Sequence, residues 1–157
     1  MLKISRKHSV NLSLCIAAIF FLLLLACAVL LPLIVSPLVA YANESGLLPP
    51  LLPASQVPIL VLAYLVIATM ALADVLLVAL LLHVKREEVF CARAVSLIRR
   101  ISWCCFLLGV WFTAIGVWFQ LSLVAAVAAL FLGLCLRVVK NVIEQAIAIK
   151  EENDFTV

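Results

Sequence analysis

The chain has 157 residues, of which 68% are hydrophobic and only 12% are charged, and its formal net charge is +3. Soluble domains carry about 25% charged residues, so this composition excludes a soluble globule, and it also excludes disordered, collagen-like and nucleic-acid-coating chains. With a mean hydropathy of +1.35, the chain is expected to lie in a lipid bilayer and to cross it as helices.

The first predicted span covers residues 12–36, which carry no charge and follow a basic N-terminal segment. A helix of this length rises about 37 Å, which exceeds the roughly 30 Å of a hydrocarbon core. Ala40 and Ala42 form an Ala-x-Ala pattern that is typical of signal-peptide cleavage sites. The apolar run is far longer than that of a signal peptide, however, so we expect an uncleaved anchor.

Residues 37–57 are predicted to form an outer loop, because four prolines and several polar residues interrupt the apolar pattern there. The second span, residues 58–82, begins with a proline, which is well tolerated in the first turn of a helix. Its one charged residue is Asp74. Residues 83–100 are polar and basic, and they are predicted to form a cytoplasmic loop.

Residues 101–136 carry no formal charge, and this run is too long for one helix of ordinary tilt. We predict two short spans, residues 101–119 and 121–137, joined by a tight turn at Gln120. Residues 138–157 are predicted to form a cytoplasmic helix and tail. The predicted fold is therefore all-α, a single domain that consists of an integral membrane four-helix bundle.

The 11 lysine and arginine residues fall in three groups, with three before the first span, five in the central loop and three from the end of the fourth span onward. Four spans place these groups on one side of the membrane, and basic loops are typical of the cytoplasmic side. We therefore predict a multi-pass protein of the cytoplasmic membrane with both termini in the cytoplasm. An odd number of spans would break this charge pattern.

Apolar residues recur at helical spacing before the third span, at Phe90, Ala94, Leu97 and Ile101, beside a basic face. This pattern predicts a short amphipathic helix that leads into the third span. One interpretation is an interfacial helix whose arginines set the depth of that span. The other interpretation is a docking surface for a cytoplasmic partner.

The fourth span is predicted to continue into the cytoplasm, because an apolar stripe that includes Val138, Val142 and Ile149 follows it. We expect such an apolar stripe to be buried against the amphipathic helix, a second copy of the chain or another protein. The span itself has a stripe of small residues, from Ala125 to Gly133, that lets a helix of the same or another chain approach closely. The residues predicted to contact a partner are Phe90, Arg93, Leu97, Arg100, Glu151, Glu152, Asn153, Asp154 and Phe155.

The C-terminal sequence Lys-Glu-Glu-Asn-Asp-Phe-Thr-Val, residues 150–157, resembles the terminal signature of the YoaS-like family of small bacterial membrane proteins, a domain of unknown function designated DUF 2975. The resemblance covers nearly the whole chain, including a basic amphipathic stretch at residues 89–103. The chain departs from the family pattern at residues 85–91, where members usually have a Gly-Lys-Pro-Phe-Ser-like sequence. The resemblance implies the bacterial cytoplasmic membrane and no settled activity. Because family genes often lie beside one for a small Cro/CI-type helix-turn-helix regulator, it also implies such a regulator as a partner.

Asp74 is predicted to lie inside the second span, more than two helical turns from the basic loop. An ionised carboxylate at this depth costs several kcal/mol unless it is paired or hydrated. The functional hypothesis is a proton or cation site, and the structural one is a protonated or hydrogen-bonded residue that fixes helix packing. Arg137 is the expected charged partner, and the uncharged alternatives are Tyr64, Thr69 and Thr113.

The six cysteines lie mostly inside spans, where cysteine behaves as a small apolar residue, and they form no Cys-x-x-Cys pair. The two histidines are far apart in the chain, so no zinc-binding set is recognisable. The sequence also has no nucleophile motif and no phosphate-binding glycine loop. We predict no cofactor, no metal and no enzymatic activity, and we expect the basic face to contact anionic lipid rather than nucleic acid.

The sequence supports two functional hypotheses of different classes. The first is an interaction or regulatory protein that binds a cytoplasmic partner, such as a small helix-turn-helix regulator, at the membrane. The alternative is a small transporter or channel that uses Asp74. Such a transporter is expected to be a homo-oligomer, because four short spans enclose little volume.

Overall fold

The structure, a computed structural model, describes residues 6–45, 56–85 and 92–154, which form four α-helices and one turn. Each helix is long and apolar enough to cross a membrane, and the described residues contain no strand. The prediction of an all-α chain with four helices able to span a membrane is confirmed. The helices are α1 (Arg6–Ser45), α2 (Gln56–Lys85), α3 (Ala92–Ile115) and α4 (Ser122–Asp154).

Helix α1 continues into the region predicted as an outer loop and ends at Ser45. Pro37 lies inside the helix without ending it, as prolines do in membrane helices whose freed backbone groups find other partners. The reason for the longer helix is packing, because Val35 and Val39 form a buried cluster with Ile59 of α2. Val39 is only 2% exposed. Helix α1 therefore extends further than the proline content predicts.

Helices α2 and α3 extend into the predicted basic loop from both sides, α2 to Lys85 and α3 from Ala92. Residues 92–101 of the predicted amphipathic segment form the first turns of α3, which continues into the third span without a break. Residues 46–55 of the predicted outer loop, residues 86–91 of the basic loop and the tail at 155–157 lie outside the described residues.

The turn between α3 and α4 lies where the sequence predicts it, around Gln120. Helix α3 ends earlier than predicted, at Ile115, and α4 begins at Ser122. The Ser122 hydroxyl donates a hydrogen bond to the carbonyl oxygen of Phe119 at 2.7 Å, which ties the turn to the start of α4. Trp118 and Phe119 pack against the buried cluster of α1 and α2, so the turn and the end of α1 lie at the same end of the molecule.

Among the described residues, the helices are arranged in a row in which backbones approach closely only between neighbours in the chain. Within the described residues, α1 lies against α2, α2 against α3 and α3 against α4, and no other pair of helices has closely approaching backbones. Neighbouring helices run antiparallel: Val39 of α1 lies beside Ile59 of α2, and further down Ala28 accepts a hydrogen bond from the Tyr64 hydroxyl at 3.2 Å. The arrangement is more open than a closed bundle, so most apolar side chains face the surrounding lipid.

The close packing of α3 and α4 depends on Gly133, a member of the small-residue stripe predicted on the fourth span. A β-carbon at this position would lie 3.2 Å from the Phe106 ring and 3.3 Å from the β-carbon of Cys105. Ser102, which is only 1% exposed, donates a hydrogen bond to the Gly133 carbonyl oxygen at 2.9 Å. At this position the stripe therefore packs against a helix of the same chain.

Antiparallel packing brings the start of α1, the end of α2, the start of α3 and the end of α4 to one end of the row. We call this region the basic end, because the lysine and arginine residues of the described helices concentrate there. They include Lys85, Arg93, Arg99, Arg100 and Lys140. The opposite end holds the α3–α4 turn and the end of α1, and its described residues include no lysine or arginine.

Candidate functional site

Asp74 lies on α2 at the meeting point of three clefts, and it is only 5% exposed. The largest cleft lies between α1 and α2 and has a volume of about 430 Å³. A second cleft between the same helices has about 330 Å³, and a third of about 200 Å³ reaches α3. Because Asp74 contributes to the walls of all three, it lies where α1, α2 and α3 come together.

Alanine residues on α1 provide room for the two clefts between α1 and α2. Ala18 lines the largest cleft together with Phe21, whereas Ala17 and Phe20 line the second. Consecutive residues of a helix point about 100° apart, so these two pairs face opposite sides of the contact between α1 and α2. The two clefts thus lie on opposite sides of the contact between α1 and α2, and Asp74 of α2 lines both of them.

No hydrogen bond or ion pair joins Asp74 to another residue in the part of the chain that the structure describes. The uncharged residues that we considered as partners bond to main-chain oxygens instead. Their hydroxyl groups donate to carbonyl oxygens, Tyr64 to Ala28 at 3.2 Å, Thr69 to Leu65 at 2.7 Å and Thr113 to Gly109 at 2.7 Å. Asp74 therefore forms no hydrogen bond with a described residue that could fix the packing of the helices.

The structure does not bring Arg137 to Asp74, so the expected polar pair is absent from it. The guanidinium carbon of Arg137 lies 5.1 Å from the ring centroids of both Trp103 and Phe106, which attract the cation through their π electrons. These rings belong to α3 and pack edge to face, with centroids 6.0 Å apart. Helix α3 lies between α2 and α4, which separates Asp74 from Arg137.

The third cleft shows the level of Asp74 relative to α3. Ile101 and Leu108 of α3 line this cleft, so Asp74 is level with the part of α3 that carries Trp103. Tryptophan in contact with arginine is typical of the boundary between lipid headgroups and hydrocarbon. Asp74 therefore lies at about the same level along the helices as Trp103 and the Arg137 guanidinium group beside it.

A second set of polar residues joins the start of α3 to the end of α4. Glu144 of α4 pairs with Arg99 of α3 at 3.1 Å and with Lys140, one turn earlier, at 2.8 Å. Arg99 and Glu144 also line a cleft of about 310 Å³ between the two helices. Exposed ion pairs add little to stability, so the main effect of these contacts is to select which faces of α3 and α4 meet.

Beyond these contacts, α4 leaves apolar side chains uncovered. Val138, Val142 and Ile149, which we call the exposed stripe, are 63%, 59% and 60% exposed. On the opposite face of α4, Ile147 is half-buried and lines the cleft beside the start of α3. We call residues 138–154 of α4 the α4 extension. The amphipathic segment at the start of α3 thus covers one face of the α4 extension and leaves the exposed stripe uncovered.

The described residues among those predicted to contact a partner lie on α3 and α4 at the basic end. At the start of α3, Arg93 and Arg100 are exposed and Leu97 is half-buried. Glu152 is exposed in the last turn of α4, which also contains Glu151, Asn153 and Asp154. Phe90 and Phe155 lie outside the described residues.

Two contacts were not anticipated from the sequence. The Trp103–Phe106 site for Arg137 had a local signal, because aromatic residues three positions apart lie on one helix face. The Arg99–Glu144 pair had none, since it joins residues 45 positions apart on different helices. Five cysteines belong to the described residues and are free thiols. In the same part of the chain, no group of histidine, cysteine and acidic side chains could hold a metal ion.

Four antiparallel apolar helices, with basic residues gathered at one end and a carboxyl group between three of the helices, define a multi-pass helical membrane protein. A family model described as protein of unknown function (DUF2975) matches residues 39–157. The chain therefore belongs to the DUF2975 family, as the resemblance of its C-terminal sequence predicted. Comparison with curated proteins and with solved structures found no significant match.

Proposed function

We propose that this DUF2975 protein is an interaction or regulatory protein of the bacterial cytoplasmic membrane, and that its basic end binds a cytoplasmic partner. The observation that carries the proposal is the exposed stripe on α4, at Val138, Val142 and Ile149. The same stretch carries Lys140 and Glu144, which pair with each other at 2.8 Å. These charges lie on the opposite face of α4, so the helix is apolar along the exposed stripe and charged elsewhere, which suits a protein partner better than lipid alone.

The α4 extension is also held in a fixed position, as a docking surface requires. The Arg99–Glu144 pair joins it to α3, and the half-buried Ile147 adds an apolar contact on the same side. A partner would therefore meet a preformed surface and would not have to order it on binding. The exposed Arg93 and Arg100 at the start of α3 add positive charge to the basic end, which favours a partner with acidic groups.

The proposed partner is a small Cro/CI-type helix-turn-helix regulator, the class that the gene neighbourhood of the family implies. Binding would hold such a regulator at the membrane, away from its DNA. No contact of this protein with nucleic acid is needed, because the basic residues lie next to the headgroups, where they also attract anionic lipid.

Orientation is part of the proposal, because the basic end must face the cytoplasm. Alkaline phosphatase, which is active only outside the cytoplasm, is expected to be inactive when it is fused after Val157. The matched control is a fusion after Ser45, at the end of α1, which is expected to be active. The measurement is phosphatase activity normalised to fusion-protein abundance, and an active C-terminal fusion would contradict the orientation.

Substituting the exposed stripe is expected to release the partner. Val142→Asp places a carboxylate at an exposed apolar position of the stripe. We expect about a tenfold decrease in the amount of regulator that co-purifies with the full chain, because a loss of about 1.4 kcal/mol of binding free energy corresponds to a tenfold weaker affinity. Ala148→Asp is the matched control, because it adds the same group at an exposed position beside the stripe. The regulator is quantified by mass spectrometry after purification from the native membrane.

Removing residues 151–157 tests the contribution of the C-terminal signature in the same assay. Equal recovery of the regulator with the native and shortened chains would remove this tail from the mechanism. Equal recovery with Val142→Asp and Ala148→Asp would contradict docking on the exposed stripe.

A further inference from the structure

The largest cleft at Asp74 has the dimensions and the lining of a binding site for a small organic molecule. Its volume of about 430 Å³ falls in the range of roughly 300–1,000 Å³ that is common for such sites. The lining residues are Ala18, Phe21 and Leu22 of α1 and Asp74, Val75 and Val78 of α2. Apart from Asp74, every one of these side chains is apolar.

The surroundings of Asp74 indicate the charge of a ligand that would suit this cleft. The residue is 5% exposed, and it has no hydrogen bond or ion pair with any residue that the structure describes. An unpaired carboxylate in apolar surroundings is costly, and a ligand with one positive charge would supply the absent counterion. A divalent metal ion does not fit, because it needs several oxygen ligands and the lining offers one carboxylate.

The apolar walls indicate what the rest of the ligand looks like. Phe21 offers an aromatic ring to a cation, and the aliphatic side chains can cover a hydrocarbon body. Leu22 and Val75 at the cleft are exposed to the surrounding lipid, so a ligand can enter sideways from the bilayer. An inorganic cation would leave these walls unused.

We propose that the cleft between α1 and α2 binds a lipophilic monocation, a molecule with one protonated amine or quaternary centre on an apolar body, and that Asp74 is its counterion. This site lies on α1 and α2, whereas the proposed docking surface lies on α3 and α4. The two proposals therefore stand on different residues, and either can fail without the other.

The test uses two ions of the same shape and opposite charge, tetraphenylphosphonium and tetraphenylborate. Equilibrium dialysis of the full chain in detergent micelles, with empty micelles as the reference, measures the binding of each ion. We expect the native chain to prefer the phosphonium ion by about tenfold or more, and Asp74→Asn to bring the two affinities within about twofold. Glu44→Gln removes an exposed carboxylate at the far end of α1 and is expected to behave as native.

Ala18→Phe provides a second variant in which Asp74 is kept. The added ring fills the largest cleft, so phosphonium binding is expected to fall by about tenfold although the carboxyl group is present. A native chain without a preference between the two ions would overturn the proposal, and so would an Asp74→Asn chain that keeps the preference. Unchanged phosphonium binding by Ala18→Phe would overturn the assignment to this cleft. Size-exclusion elution and helix content by circular dichroism verify that each variant is folded.

Discussion

Asp74→Leu is expected to raise the free energy of unfolding by about 1–3 kcal/mol. Leucine has the branched shape of aspartate with methyl groups in place of the oxygens, and the clefts around Asp74 leave space for them. The substitution removes a carboxyl group that has no partner among the described residues and adds apolar contact between α1 and α2. A stabilising substitution at a buried polar residue indicates that the residue is kept for function rather than for folding.

The measurement is unfolding in mixed micelles with an increasing fraction of sodium dodecyl sulfate, followed by circular dichroism. Ala68→Leu is the matched control, because it places the same side chain at an exposed position of α2, and it is expected to change the free energy of unfolding by less than about 0.5 kcal/mol. A clear loss of stability in Asp74→Leu would favour the structural hypothesis, in which Asp74 fixes the packing of the helices.

Gly133→Leu is expected to lower the free energy of unfolding by about 2–4 kcal/mol. A β-carbon at this position would already lie 3.2 Å from the Phe106 ring, so the rest of a leucine side chain must push α3 and α4 apart. Their separation would also break the hydrogen bond from Ser102 to the Gly133 carbonyl oxygen, which measures 2.9 Å. In the same step Arg137 would lose its position over the rings of α3.

Ala128→Leu is the control for this second substitution, since residue 128 is exposed on the same helix and the added side chain would face lipid. Both chains are unfolded in the same mixed micelles as above. The expected result is a native-like transition for Ala128→Leu and an earlier one for Gly133→Leu. Equal transitions would show that α3 and α4 do not depend on a close approach at Gly133.

Properties that are local along the chain could be predicted from the sequence. The span count and the α3–α4 turn follow from the lengths of charge-free runs and from the polar residue Gln120, neither of which depends on distant residues. The end of α1 could not be predicted in this way. Its last turns are helical because Val39 packs against Ile59, and that contact joins two different helices.

The candidate site shows the same division between local and distant information. The sequence indicated that Asp74 lies in a span, because only its position along the chain was needed. It did not indicate which helices surround Asp74, since that depends on how each helix is rotated against its neighbours. The pairing with Arg137 failed for this reason: both residues flank α3, but from different sides. The clefts depend on Ala17 and Ala18 of α1, which no spacing rule connects to Asp74.

The row arrangement of the helices has a consequence for the order in which the protein assembles. Because close backbone contacts within the described helices join only chain neighbours, α2 has its first partner already in the membrane when it is synthesised, and the same holds for α3 and α4. No later helix has to insert between two that have already docked, because each close backbone contact joins helices that follow one another in the chain. Assembly can therefore keep pace with synthesis, with the Asp74 clefts complete once α3 is in place and the basic end complete only when α4 arrives.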